Sequence, residues 1–170
     1  MFKNILILNT GGTFNKKYNP ISGTLDVTKD SNYIKELFSN IYKVNKQPNI
    51  KTIISKDSLD IKTKHRELMV NIINKAKEKN IVIIHGTDTM SKTAEYINKS
   101  IKSKTIILVG SMIPYSIDKV EATGNLMMAI GFIKAKNKNG VYICMNGIVD
   151  KYKKLNKDYK RAVFKRAVSE

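Results

Sequence analysis

The sequence predicts an α/β fold: a three-layer αβα sandwich around a mostly parallel sheet, wound like a flavodoxin- or Rossmann-type unit. Three observations predict it. Short runs rich in Ile and Val recur along the chain, segments of helical spacing separate them, and the runs lack polar alternation. Strands of a parallel sheet with helices on both faces read in this way.

Taken in order, residues 3–8 form the first strand, with Ile5-Leu-Ile-Leu8 as its apolar run, and a helix is expected over 31–42. A second strand covers 50–55, followed by a helix over 64–79 in which Leu68, Ile72, Ile73 and Ala76 line one buried face. Thr63 precedes it as an N-cap candidate. Residues 81–84 (Ile-Val-Ile-Ile) are the third strand, 91–101 a helix, 105–109 the fourth strand, 121–136 a helix and 140–145 the fifth strand. The stretch after Asn146 is polar, basic and irregular until 161–168, which reads as one more strand.

A chain of 170 residues is expected to be one domain, burying about 70% of its unfolded surface. Cys144 is the only cysteine, so no internal disulfide forms, which suits a reducing compartment. No run approaches the roughly 20 apolar residues of a membrane span. A cytoplasmic protein is expected. The net charge of +17 raises nucleic acid as a partner, but the positive charge is nearly all lysine scattered through the chain. Arginine occurs only at Arg66, Arg161 and Arg166. No zinc-finger spacing, RNP-like motif or Gly-x-x-Gly clamp accompanies the charge, so nucleic acid is disfavoured.

Two loops carry the chemistry. Thr10-Gly-Gly-Thr-Phe14 follows the first strand, and His85-Gly-Thr-Asp-Thr-Met90 follows the third. Ligands of open α/β sheets bind outside the carboxyl ends of the strands. The glycines let backbone approach a ligand, and N–H groups around Gly11, Gly12 and Thr87 are candidates for an oxyanion hole. A threonine hydroxyl there can attack a carbonyl if its proton is taken. The plainer alternative for 10–14 is a turn whose threonines cap local backbone. Asp88 is either an N-cap or a carboxylate for a base or a substrate ammonium. His85 reads as a structural, hydrogen-bonded group and His65 as a solvated one.

Taken together, Thr10-Gly-Gly-Thr-Phe14, Ser55-x-Asp-Ser58, His85-Gly-Thr-Asp-Thr-Met90, Gly110-Ser-Met-x-Pro114, Asn125-Leu126 and Gly140-Val-Tyr-x-x-Met-Asn146 resemble the bacterial L-asparaginase/glutaminase family. The resemblance runs in order along nearly the whole chain. It implies hydrolysis of a side-chain amide to a carboxylate and ammonia through a threonine-acyl intermediate, without a cofactor or metal. Thr13 then matches the first nucleophile, and Tyr18 the mobile-loop tyrosine that activates it. Thr87 and Asp88 match the second threonine and its carboxylate. Ser55 matches the group that holds a substrate α-carboxylate, Asp88 suits the α-ammonium, and Gly12, Lys56, Gly86 and Ser111 complete the binding set.

The family also sets a lysine against the second threonine. Lys136 aligns without a gap after Asn125-Leu126, while Lys134 fits counting back from Gly140; Lys136 is preferred. Desolvation can make such a lysine a base. Two departures stand out. Lys56 replaces a glutamine beside the substrate-binding serine, and at Glu170 family members continue into a second domain. The resemblance therefore implies a stand-alone single domain over 1–170, acting as a homodimer or higher oligomer on an amino-acid amide. The alternative is an amide-binding module with weak or no turnover.

Overall fold

The β-branched runs pair side by side as strands because helices cover them on both faces. The protein is described here from a computed structural model covering residues 2–43, 47–136 and 138–167. In chain order the elements are β1 (Ile5–Gly11), β2 (Lys16–Asn19), β3 (Thr24–Val27), α1 (Asn32–Tyr42), β4 (Asn49–Lys56), α2 (Thr63–Lys75) and β5 (Asn80–Ile84). They continue with α3 (Met90–Ser100), β6 (Thr105–Val109), α4 (Lys119–Lys136), β7 (Gly140–Met145), β8 (Ile148–Lys151), β9 (Leu155–Asp158) and β10 (Val163–Arg166).

The main sheet has the order β4-β1-β5-β6-β7-β8. The first five strands are parallel, and β8 closes the edge antiparallel to β7. Counting parallel strands alone, the order is 2-1-3-4-5, the flavodoxin-like winding. Its switch point lies between β1 and β5, where the chain reverses the direction in which it adds strands. That is where such sheets bind ligands.

Alternation along each strand divides the core. Ile7, Val82, Ile84, Ile107, Val109 and Cys144 pack with α1 and α4 on one face. Leu6, Leu8, Ile81, Ile83, Leu108 and Ile143 pack with α2 and α3 on the other. The expected three layers are present, and the five predicted parallel strands and four helices are all found.

Besides β8, which falls in a stretch read as irregular, three features differ from the sequence reading. Two antiparallel hairpins, β2–β3 and β9–β10, lie outside the main sheet. Both are lysine-rich and short, so neither has the apolar run that reveals a buried strand. The strand expected over 161–168 is β10, and its last expected residue, Val168, lies outside the described residues. The second difference is in α2, which stops at Lys75 and turns extended at Ala76, short of residue 79. There the Lys104 ammonium captures the carbonyls of Ala76 and Glu78, at 2.5 and 2.8 Å. Third, the buried face of α2 is Arg66, Met69, Val70 and Ile73, while Leu68 is exposed. Thr63 is the first helical residue, not the cap; His65 Nδ1 instead accepts the Lys62 N–H at 3.0 Å. His65 is thus half-buried and bonded, not simply solvated.

Candidate active site

The two glycine loops meet at the switch point. Thr10 Oγ1 donates to the Ile84 carbonyl at 2.7 Å, tying the end of β1 to the end of β5. Gly12 sits at φ +75°, and a Cβ there would lie 2.3 Å from the Gly86 nitrogen and 2.4 Å from its Cα. Only a glycine at position 12 allows that contact, and a Cβ on Gly86 would instead meet Ser58 Cβ at 2.7 Å. Thr13 and Thr87, each one residue further on, therefore stand on touching loops.

Thr13 opens a single 3-10 turn, Thr13–Asn15, and is half-buried. The turn is anchored by Phe14, which is fully buried against the rings of Tyr33 and Tyr115.

A buried relay shapes the second loop. Arg66 Nε donates to Thr93 Oγ1 at 3.0 Å, Thr93 Oγ1 lies 3.0 Å from His85 Nε2, and His85 Nδ1 lies 2.7 Å from the Gly86 carbonyl. The carbonyl can only accept, so Nδ1 carries the proton and Nε2 takes the Thr93 hydrogen. Burial pushes the ring down to about 4, so His85 is neutral. It is a structural group, as its position at a strand end suggested.

The third contributor comes from far along the chain. The β9–β10 hairpin lays Lys157 across the second loop, with Nζ 2.7 Å from Thr87 Oγ1 and 2.6 Å from Asp88 Oδ1. Thr87 is buried, and the side chains of Lys157 and Asp88 are 13% and 34% exposed. Tyr159 Oη donates to the Asp88 carbonyl at 3.1 Å, and its ring centroid lies 5.2 Å from Lys157 Nζ.

Asn146 docks this hairpin. It adopts the left-handed conformation at φ +50°, and its Oδ1 accepts the Phe164 N–H at 2.7 Å. Its own N–H goes to Asn125 Oδ1 at 3.1 Å, and Asn125 Nδ2 goes to the Gly110 carbonyl at 3.0 Å. Three separate sequence motifs thus form one chain of bonds.

Lys136, the preferred lysine, is not at this site. It ends α4 with Nζ 5.9 Å from the Phe132 ring centroid, in a surface cavity with Lys138, Asp150 and Arg166. Lys134 lies over the Phe2 ring, 4.8 Å from its centroid. Counting along the sequence favoured the helix, whereas the fold supplies the cation from a hairpin. Leu155 and Phe164, apolar residues flanking a polar turn, were the available signal for that hairpin, obscured by its lysines.

The other expected residues divide. Gly12, Gly86, Thr87 and Asp88 come together with Thr13 as described. The N–H groups of Gly11 and Gly12 do not serve as free donors: they bond Asn9 Oδ1 at 3.2 Å and the Lys56 carbonyl at 2.9 Å. The Lys56 backbone also packs on Gly11, while its side chain is exposed. Ser55 is half-buried in an open depression with Lys29, Thr52 and Lys56. Ser111 is buried, and its hydroxyl donates to the Ile113 carbonyl at 2.6 Å, so it shapes its own loop. Tyr18 lies on the β2–β3 hairpin, 64% exposed. Among the described residues no group of three or more His, Cys, Asp or Glu side chains is placed to hold a metal ion. No described helix is long and apolar enough to cross a membrane.

Comparison with known proteins gives consistent matches. Residues 4–161 match the family described as Asparaginase, N-terminal. The chain is 31% identical to the glutaminase-asparaginase of Acinetobacter glutaminasificans over 153 residues, covering 84% of this chain and 46% of that protein. It is 30% identical to L-asparaginase 2 of Escherichia coli strain K12 over 159 residues, covering 86% of this chain and 44% of that protein. The chain thus spans less than half the length of these curated relatives. In fold it is similar to the thermostable L-asparaginase from Thermococcus kodakarensis, with a TM-score of 0.81 at 23% identity over 95% of this chain and 50% of that one.

Proposed function

This chain belongs to the asparaginase family, and on that premise we propose that it hydrolyses the side-chain amide of an amino acid, asparagine or glutamine, to a carboxylate and ammonia. The observation that carries the reading is the Lys157 ammonium set between Thr87 Oγ1 and Asp88 Oδ1, at 2.7 and 2.6 Å, beside the Gly12–Gly86 contact. A buried polar cluster at a switch point is placed for a ligand more than for stability.

Thr13 Oγ attacks the amide carbon. The Thr13 proton passes through the Tyr18 hydroxyl, once the β2–β3 hairpin turns inward from its exposed position, to Thr87 Oγ1, which gives up its own hydrogen in the same step. Because Thr87 Oγ1 accepts from Lys157, its own hydrogen is free to donate. The ammonium draws charge from that oxygen and makes Thr87 the acid toward the leaving nitrogen. The C–N bond breaks, ammonia departs, and Thr13 is left acylated. Water then attacks the acyl carbon, and one of its protons passes to Thr13 Oγ as the C–Oγ bond breaks to release the acid. With Gly11 and Gly12 already bonded, Thr87 N–H remains the oxyanion donor of the expected set. Asp88 Oδ1 is occupied by Lys157, which leaves Oδ2 for a substrate ammonium. Ser55, flanked by Lys29 and Lys56, suits the α-carboxylate. A homo-oligomer completes the reading and rests on the family resemblance, and a cytoplasmic location on the single cysteine, Cys144.

Ammonia release from L-asparagine and L-glutamine tests it, with Thr13→Ala alongside. Release by the native chain and its loss in the variant, by about 10³-fold or more, is expected for removal of a nucleophile. Unchanged release in Thr13→Ala removes Thr13 from the mechanism. Amide binding without release would assign a binding module instead.

A further inference from the structure

The surface cavity beside Lys136 measures about 290 Å³, and none of its lining residues belongs to the site around Thr87. Four cations line it, Lys136, Lys138, Lys151 and Arg166, against a single carboxylate, Asp150. That carboxylate is already committed. Its Oδ1 accepts the Lys151 N–H at 2.8 Å, and its Oδ2 meets Arg166 Nε at 3.5 Å. Among the described residues no carboxylate pairs with Lys136, Lys138 or Lys151.

The cations converge from separate segments: Lys136 ends α4, Lys151 ends β8 and Arg166 ends β10. Two of them are held by rings. Lys151 Nζ lies 4.9 Å from the Tyr142 centroid and Lys136 Nζ 5.9 Å from that of Phe132, and these two rings touch with centroids 4.9 Å apart. Lys151 also folds over Gly140, where a Cβ would lie 2.5 Å from its Nζ. Tyr142 Oη donates to the Lys138 carbonyl at 3.2 Å, which fixes the turn bearing the fourth cation. Like charges gathered in one concavity repel one another and concentrate counter-ions there. A singly charged anion satisfies one or two such groups, whereas several charged oxygens on one molecule span α4, β8 and β10. The volume falls at the small end of the roughly 300–1,000 Å³ typical of small-molecule sites, which suits a compact ligand.

We propose that this cavity binds a compact anion carrying several negative charges, which bridges Arg166 to Lys151 and Lys136 and clamps the hairpin that carries Lys157. Arg166 stands opposite Leu155 in the β9–β10 ladder, and Lys157 follows on the same strand as Leu155. The Arg166–Asp150 contact already ties β10 to β8. A bound anion adds ties from the same guanidinium, whose planar fork holds two oxygens, to the sheet edge and to α4. The binding stands apart from the proposed function, and its bearing on turnover rests on the role given there to Lys157.

Inorganic pyrophosphate and citrate are the probes, with acetate as the singly charged control, titrated into the full chain at fixed ionic strength and followed by NMR. Binding is read without turnover, so a failed ammonia assay leaves this inference standing. Both probes are expected to bind about tenfold or more tightly than acetate, with shifts at Gly140, Tyr142 and Lys151. The tighter of the two assigns phosphate or carboxylate chemistry to the site. Lys151→Gln and Arg166→Gln are each expected to weaken pyrophosphate by about tenfold, while Lys77→Gln, the same charge change at an exposed lysine elsewhere, keeps the native affinity. Saturating pyrophosphate is also expected to slow amide exchange along the β9–β10 ladder in the native chain and not in Arg166→Gln. Acetate binding as tightly as the probes, equal losses in Lys77→Gln and Lys151→Gln, or unchanged exchange at the hairpin overturns the proposal. So does a single-stranded oligonucleotide that displaces pyrophosphate at equal concentration, which would make the patch a nucleic-acid contact.

Discussion

Alanine at Gly12 puts a methyl group where the two glycine loops touch, and the consequence can be worked from the geometry. The new Cβ would lie 2.3 and 2.4 Å from Gly86 backbone atoms. Non-bonded carbons settle at about 3.5–4.0 Å, so the loops must part by roughly 1 Å. No rotamer relieves the contact, because both opposing atoms are backbone. Gly23 provides the control: its φ is +70°, and nothing lies within 4 Å of its Cβ position. Gly23→Ala therefore reports left-handed strain alone, about 1–2 kcal/mol. Gly12, at φ +75° and ψ −173°, lies in a region essentially confined to glycine, so Gly12→Ala carries strain of about 1–3 kcal/mol of its own and adds overpacking of about 1–3 kcal/mol, for a total of about 2–6 kcal/mol. In a chain of this size each kcal/mol lowers Tm by about 2–4 °C. Thermal melts of the two variants thus separate strain from collision. The same displacement moves Thr13 against Thr87 and Lys157, and about 1 Å at such a site costs on the order of 100-fold in rate. Equal losses of Tm in the two variants would refute the loop contact.

Three further outcomes follow from the same geometry. Lys157→Met keeps length but removes the ammonium, and ammonia release is expected to fall about 10²–10⁴-fold, whereas Lys136→Met leaves it unchanged; the reverse pattern would restore Lys136 to the site. His85 protonates near 4 in the folded chain and near 6.5 unfolded, so between those values the unfolded state binds more protons and stability falls as pH drops. The gap amounts to about 3 kcal/mol, lost between pH 6.5 and 4, and urea melts across that range are expected to be flatter by this amount in His85→Gln. Asn146→Gly keeps the left-handed backbone but deletes the side chain that holds Phe164, so amide exchange at Phe164 is expected to quicken while β7 stays protected; unchanged exchange would mean the hairpin is docked by its apolar contacts alone.

The layers of the fold and the two glycine loops were legible along the chain because each depends on neighbours in sequence. Runs such as Ile81-Val-Ile-Ile84 state their own burial, and Gly11-Gly12 and Gly86 mark where backbone must come close. What sequence by itself determined, then, was the sandwich, the strand ends that build the site, and the threonines and carboxylate placed there. The identity of the lysine was decided only by tertiary structure. Lys157 reaches Thr87 because Asn146, Asn125 and Gly110 dock a polar hairpin against the sheet, a contact spanning 70 residues. Burial of Arg66 and the early stop of α2 at Lys104's ammonium are of the same kind. Local pattern records which face of an element is apolar. Which charged or polar group arrives from elsewhere to meet it is settled by packing between distant segments, and no spacing along the chain encodes that meeting.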